Sequence, residues 1–232
     1  MRKSPIAALF TLFALAASAG AMAFAALPAQ AAEALKNAPA AAVDSKESGT
    51  RAIAYFAGGC FWGVEGVFSH VKGVVSAESG YAGGPAKLNV TYEDVGTGQT
   101  GYAEAVKVVY NPQEVSYATL LRVFFSVITN PTTLNAQGPD RGTQYRSALF
   151  PQSAEQAKVA TSYLAQLSKT KLWDAPIVTK IEPVNRFQRA EDYHQDFLER
   201  NPNQGYIRAW DMPKVAGLKQ MYPALWKDQP SA

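Results

Sequence analysis

The chain has 232 residues, with 22 basic and 19 acidic side chains and a formal net charge of +3. Two of the basic residues, Arg2 and Lys3, belong to a leader-like segment. Without them the balance is 20 to 19, so the remainder is almost neutral, has no basic stripe and is not expected to bind nucleic acid. The single cysteine, Cys60, excludes an internal disulfide.

Residues 1–31 read as an export signal. Arg2 and Lys3 form a positive n-region, an apolar run extends from Ile6 to Leu27, and Ala29-Gln30-Ala31 is a small-residue cleavage site. The mature chain would start at Ala32 and is expected in an exported compartment, the bacterial periplasm. An uncleaved membrane anchor is the competing reading, because the apolar run is long for a signal. Residues 32–50, rich in Ala, Lys, Glu and Ser, lack an apolar period and read as a flexible linker. Residues 51–232 make one domain.

Ile53 to Ala57 is short, apolar and β-prone, and it ends in Gly58-Gly59. From Cys60 the period changes. Phe61, Val64, Val67, Phe68 and Val71 sit at helical spacing, so a helix is expected from Cys60 to near Gly73. Val74 to Tyr81 and Ala103 to Tyr110 read as strands, with a glycine-rich loop at 80–85. Tyr117, Leu120, Leu121, Phe124, Phe125 and Ile128 mark an amphipathic helix. Residues 130–144 read as a loop, and Tyr145 to Phe150 as a strand. Ser153 with Gln156 caps a helix that presents Ala160, Tyr163, Leu164 and Leu167. A strand at Ile177 to Pro183 and a helix at Ala190 to Arg200 follow. The tail from Tyr206 reads as irregular, with a short helix at 214–221. The order β-α-β-β-α-β argues an α/β fold, a mixed sheet with helices packed on it.

Cys60 stands at a strand-to-helix turn. Unpaired amides at a helix N-terminus favour thiolate over thiol, and Gly58, Gly59 and Gly63 leave room for another molecule to approach. Most aromatic residues are core. Phe61 and Trp62 are consecutive, however, so on a helix they point about 100° apart and at least one can wall a pocket beside the sulfur. Glu104 lies between Ala103 and Ala105, where desolvation would raise its pKa. His194, in Glu-Asp-Tyr-His, reads as structural, and His70 as a solvated residue at a helix end.

Gly59-Cys60-Phe61-Trp62-Gly63 resembles the signature of the methionine sulfoxide reductase A family. Gly80-Tyr81-Ala82-Gly83-Gly84, Thr91-Tyr92-Glu93-Asp94-Val95, Ala103-Glu104-Ala105-Val106, Gly142-Thr143-Gln144-Tyr145-Arg146-Ser147 and Glu191-Asp192-Tyr193-His194-Gln195 also resemble family segments, in the family's order. The resemblance implies a ferredoxin-like core in an α+β sandwich and reduction of methionine S-sulfoxide, free or in proteins. It implies Cys60 as the nucleophile and Glu104 as the acid that protonates the sulfoxide oxygen. It places Tyr81 and Tyr145 as hydrogen-bond partners of that oxygen, Phe61 and Trp62 as the methyl pocket, and Asp140 near the substrate backbone. It implies no metal and no bound cofactor, and a monomer is expected.

Tyr102, Thr129, Asn130 and Pro139 depart from the family's commoner residues, which bears on substrate preference. No second cysteine is present to resolve the sulfenic acid formed on Cys60. An external thiol, a thioredoxin-like protein or a small molecule, is therefore the expected reductant, and repair of oxidised exported proteins the expected role. Two other readings compete. A Cys-His hydrolase would need His194 or His70 beside Cys60. A non-catalytic module would spend Cys60 once.

Overall fold

Three strands frame the domain in the computed structural model, which describes residues 35–231; the expected signal at 1–31 lies outside the described residues. They are β1 (Ala52–Gly58), β2 (Val74–Ala82) and β3 (Ala103–Tyr110). Strand β3 is central and nearly wholly buried, which explains its run of Ala and Val with little polar alternation. It pairs antiparallel with β1 on one side and β2 on the other.

The helices and remaining strands complete the frame. Helix α1 is Phe61–Ser69, α2 Tyr92–Gly96, and α3 Tyr117–Val123, which runs on as a π-turn over Phe124–Ile128. A hairpin of β4 (Ala136–Gln137) and β5 (Asp140–Arg141) occupies the region read as loop. Then come β6 (Ser147–Phe150), α4 (Ala154–Ser168), β7 (Lys180–Ile181), β8 (Gln188–Arg189), α5 (Phe197–Arg200) and α6 (Met212–Met221). The six-stranded sheet has the order β7-β6-β1-β3-β2-β8, antiparallel except for the parallel β6–β7 pair. Its four inner strands, β6-β1-β3-β2, carry the expected β-α-β-β-α-β connection in a mixed α/β fold. No described helix is long and apolar enough to cross a membrane.

The two faces of the sheet are unequal. One carries Phe56, Val106, Val108 and Tyr110 into the main core, with Val64, Val67 and Phe68 of α1 and Leu120, Leu121 and Phe124 of the α3 region. The other carries Ala57, Ala82, Ala103, Ala105 and Ala148 with Phe150, a thin layer covered by Val184 and Phe187. Alternation along β3 puts Glu104 on the opposite face from Ala103 and Ala105.

Three expectations change. Tyr145 does not open a strand: Thr143–Tyr145 is a 3₁₀ turn ahead of β6. The segment 190–200 is not one helix. Gln195 spends its side chain on the N–H and C=O of Ser79, and Asp196 adopts a left-handed backbone with its N–H on Glu65. These bonds bind the segment to β2 and α1 in place of its own helical ladder. The tail is more regular than expected, since a π-turn at Ile207–Asp211 runs directly into α6.

The linker reading also requires correction over its described part, 35–50. The segment has no helix or strand, but it is bonded to the domain. Lys36 N–H donates to Ser126 O at 3.0 Å, and Ala38 N–H donates to Ser126 Oγ at 3.1 Å. Tyr163 Oη donates to Pro39 O at 2.6 Å, and Arg122 Nε to Ala38 O at 2.8 Å. Ala38 is wholly buried. The sequence lacks a period because distant parts of the domain supply these hydrogen bonds, a pattern that leaves no trace in local hydrophobicity. A chain starting at Val43 should therefore be less stable than one starting at Ala32. The expected loss is ~2 kcal/mol, about 4–8 °C in melting temperature. Equal melting temperatures would restore the tether.

Candidate active site

Helix α1 begins where β1 ends, and the turn between them fixes Cys60. Gly59 has φ +97°, and a Cβ there would lie 2.6 Å from Gln137 Cβ, so only glycine fits this turn. Cys60 is the residue that caps α1 and is 7% exposed. Glu104 projects from β3 beneath the start of the helix and is 2% exposed. Its Oε2 accepts the Phe61 N–H at 3.0 Å, so the first amide of α1 goes to the carboxyl.

Both groups are shifted upward. Burial raises Glu104 to about 8, against the Phe61 N–H, which pulls it down; the nearby Asp140 and Asp211 add to the rise. Burial pushes the Cys60 thiol well above its ordinary value, and the Glu104 and Asp211 carboxylates add to this. The Trp62 N–H and Lys214 act in the opposite direction. The expectation that the helix terminus favours thiolate is thus outweighed, above all by burial. In the resting site the sulfur is a thiol and the Glu104 carboxyl is neutral at neutral pH.

The aromatic residues divide as the helical spacing requires. Phe61 is buried, with its ring 4.9 Å from His194 and 5.9 Å from Tyr81. Trp62 is half-buried and lies flat on Phe197, with ring centres 3.9 Å apart. Its Nε1 donates to His194 Nδ1 at 3.1 Å. His194 is buried and its pKa is lowered by desolvation, so it is a neutral acceptor with its proton on Nε2. Its geometry orients Trp62 and does not pair with Cys60. His70, expected in solvent, is buried at the far end of α1, stacked on Trp226 and bonded to Glu199 at 2.9 Å. Neither histidine has the partner a Cys-His hydrolase needs.

The tyrosines differ from expectation in one respect. Tyr145 feels the charges of Glu104, Asp140 and Cys60. It lies beside Tyr92, which feels Glu104 and Cys60 in turn and is raised to about 12, chiefly by burial. The hydroxyl of Tyr81 is committed elsewhere: it donates to Glu191 Oε2 at 2.8 Å. The other Glu191 oxygen accepts the Tyr92 N–H at 2.9 Å, so Tyr81 braces the first turn of α2, which carries Tyr92. Tyr92 was legible only as one letter of Thr-Tyr-Glu-Asp-Val; its place beside Tyr145 depends on Glu191, 99 residues away.

Asp140, on β5, is half-buried and accepts a hydrogen bond from Tyr206. Tyr206 stands edge-on to Trp62 at 6.0 Å. The sequence reading missed this residue and Asp211, because both come from the tail read as irregular. Among the described residues no group of His, Cys, Asp and Glu could hold a metal ion. A cavity of about 290 Å³ lies behind Tyr206 and Lys214, lined by Phe125, Ile128, Trp173 and Trp210. Cys60 does not line it.

The Glu104 shift is also a statement about stability. A carboxyl raised from 4.5 to about 8 makes the folded protein bind a proton that the unfolded chain has released. Its contribution to stability therefore falls as pH rises between those values. Glu104→Gln should raise unfolding stability by ~2–4 kcal/mol near the upper value and leave it unchanged below the lower one. Denaturant titrations at the two ends of this range check it; no pH-dependent difference would contradict the buried neutral carboxyl.

Comparison with known proteins finds one family and its members. A family model described as peptide methionine sulfoxide reductase matches residues 52–225. The chain is 56% identical over 188 residues to peptide methionine sulfoxide reductase MsrA 2 of Mesorhizobium japonicum, covering 81% of this chain and 96% of the relative. It is 51% identical over 169 residues to the MsrA of Deinococcus radiodurans, covering 73% and 81%. Methionine sulfoxide reductase A of Corynebacterium diphtheriae superposes with a TM-score of 0.57 at 32% identity, covering 69% of this chain and 79% of that one. The reduced form of Mxr1 from Saccharomyces cerevisiae gives 0.56 at 34%, covering 73% and 96%.

Proposed function

The chain belongs to the peptide methionine sulfoxide reductase A family, and from that premise we propose that Cys60 reduces methionine S-sulfoxide, free or in proteins, with Glu104 as the proton donor. The observation that carries this reading is the buried, neutral Glu104 carboxyl held at the start of the helix that Cys60 caps. A sulfoxide oxygen is a poor leaving group until it is protonated, so the reaction needs an acid still protonated at neutral pH.

Cys60 Sγ attacks the sulfoxide sulfur, and Glu104 delivers its proton to the oxygen. The new Sγ–S bond drives out the protonated oxygen as the substrate S–O bond breaks; that oxygen then bonds to Sγ, the Sγ–S bond breaks, and its electron pair leaves with methionine. The sulfoxide sulfur gains two electrons and the cysteine sulfur loses two. The thiol proton restores Glu104. The products are methionine and a sulfenic acid on Cys60. Tyr145 and Tyr92 hold the oxygen, and Tyr81 acts behind them through Glu191. Phe61 and Trp62 wall the methyl group, with Trp62 oriented by His194. Asp140, steadied by Tyr206, faces the substrate backbone.

Recycling comes from outside the chain. Cys60 is the only cysteine, so two equivalents of an external thiol reduce the sulfenic acid, releasing a disulfide and water. A thioredoxin-like protein and a small thiol both supply that chemistry, and no bound cofactor enters the scheme. The leader features of residues 1–31 support work on oxidised proteins in an exported compartment.

Steady-state reduction of epimer-resolved sulfoxide with dithiothreitol tests the scheme. The rate should fall as pH rises through about 8, where Glu104 loses its proton. Glu104→Gln should cost about 10²–10⁴ in kcat and abolish that dependence. Cys60→Ser should be inactive; activity near wild type in either variant would sink the assignment. With substrate and no thiol, the wild type should stop after one turnover and accept one dimedone label.

A further inference from the structure

Asp211 lies at the join between the tail's π-turn and α6, and it is 0% exposed. Its carboxylate presses on the first turn of α1. A Cβ placed on Gly63 would lie 2.1 Å from Asp211 Oδ1, so the glycine at this position admits the carboxylate. Oδ1 receives Lys214 Nζ at 3.3 Å. Oδ2 is buried with no hydrogen-bond partner among the described residues. A carboxylate in this state is costly, and packing it against the turn that carries the nucleophile calls for a functional account.

We propose that the Asp211–Lys214 pair, packed against the first turn of α1, tunes the reactivity of Cys60. The inference rests on Cys60 being the nucleophile. Asp211 acts through Cys60 and is a positioning residue for its charge state. Among titratable groups, Tyr206 faces both Cys60 and Asp211, and Tyr92 and Tyr145 face Cys60. Cys60 faces Glu104 from β3, Asp211 and Lys214 from the tail and the Trp62 N–H from α1. Burial raises the Asp211 carboxyl above its ordinary value and Asp140 from β5 adds to the rise, while Lys214 from α6 acts against it. The two partners act on the sulfur in opposite directions: Asp211 disfavours thiolate and Lys214 favours it. Thiolate is the form that oxidants attack, so a site with no second cysteine gains protection from holding the proton until substrate arrives.

The experiment is iodoacetamide alkylation of Cys60 in the full chain, followed by mass spectrometry across the neutral and alkaline range. Wild type, Asp211→Asn and Lys214→Met are compared. The alkaline plateau reports access to the sulfur, and the midpoint reports its proton. Asp211→Asn should move the midpoint down and speed alkylation at neutral pH by about tenfold. Lys214→Met should move it up. Midpoints unchanged in both variants, or moved in the same direction, would overturn the proposal, as would a change confined to the plateau. If Asp211→Asn does not fold, the upward shift expected of Lys214→Met decides alone. Sulfoxide reduction is not read, so failure here leaves the nucleophile assignment to the Cys60→Ser assay.

Discussion

The hydrogen bond from the Phe61 amide to Glu104 joins the two elements on which the site depends, the start of α1 and the middle of β3. It is an unusual use of a helix terminus. Such termini stabilise negative charge, yet here the acceptor is a carboxyl so buried that it keeps its proton. Desolvation is the larger effect and the helix amide the smaller. The balance leaves Glu104 an acid with a midpoint near the working pH, which a proton donor requires. The same burial keeps Cys60 a thiol, so the reactants wait in their protonated forms side by side.

The side chains that brace this site come from far along the chain. Glu191 ties Tyr81 and the start of α2 together and so sets Tyr92. His194 and Phe197 fix Trp62 by a hydrogen bond and a stacked ring. Tyr206 steadies Asp140, and Asp211 lies against Gly63. Buried Glu65, raised to about 7, links α1 to Ser79 of β2 and to the left-handed turn at Asp196. The segment 190–214 therefore acts as a lid of hydrogen bonds over a helix that is itself almost wholly buried.

Much of this was legible in the sequence, for identifiable reasons. Cys60, Phe61, Trp62 and Glu104 sit in regular elements whose periodicity places them, and the sheet keeps that placement. Asp140 and Tyr145 were legible only through the family motif, because their hairpin and 3₁₀ turn have no hydrophobic period. Tyr81 was assigned to the oxygen-binding role by its motif, but its hydroxyl goes to Glu191; a side chain's hydrogen-bond partner 110 residues away is invisible to local patterning. The packed segment at 35–50 and the broken helix at 190–200 were misread for the same reason. In both, hydrogen bonds to distant side chains replace the local ones on which propensity arguments rest.

Glu104 is a buried acid, neutral at neutral pH, beside a thiol. The most direct measurement is an infrared titration of its carboxyl stretch, isolated as the difference between the wild-type protein and Glu104→Gln. A protonated carboxyl band that disappears with a midpoint near about 8 is the predicted result. A midpoint near the ordinary 4.5 would rule out Glu104 as the proton donor, because the site would then hold a carboxylate with no proton to give.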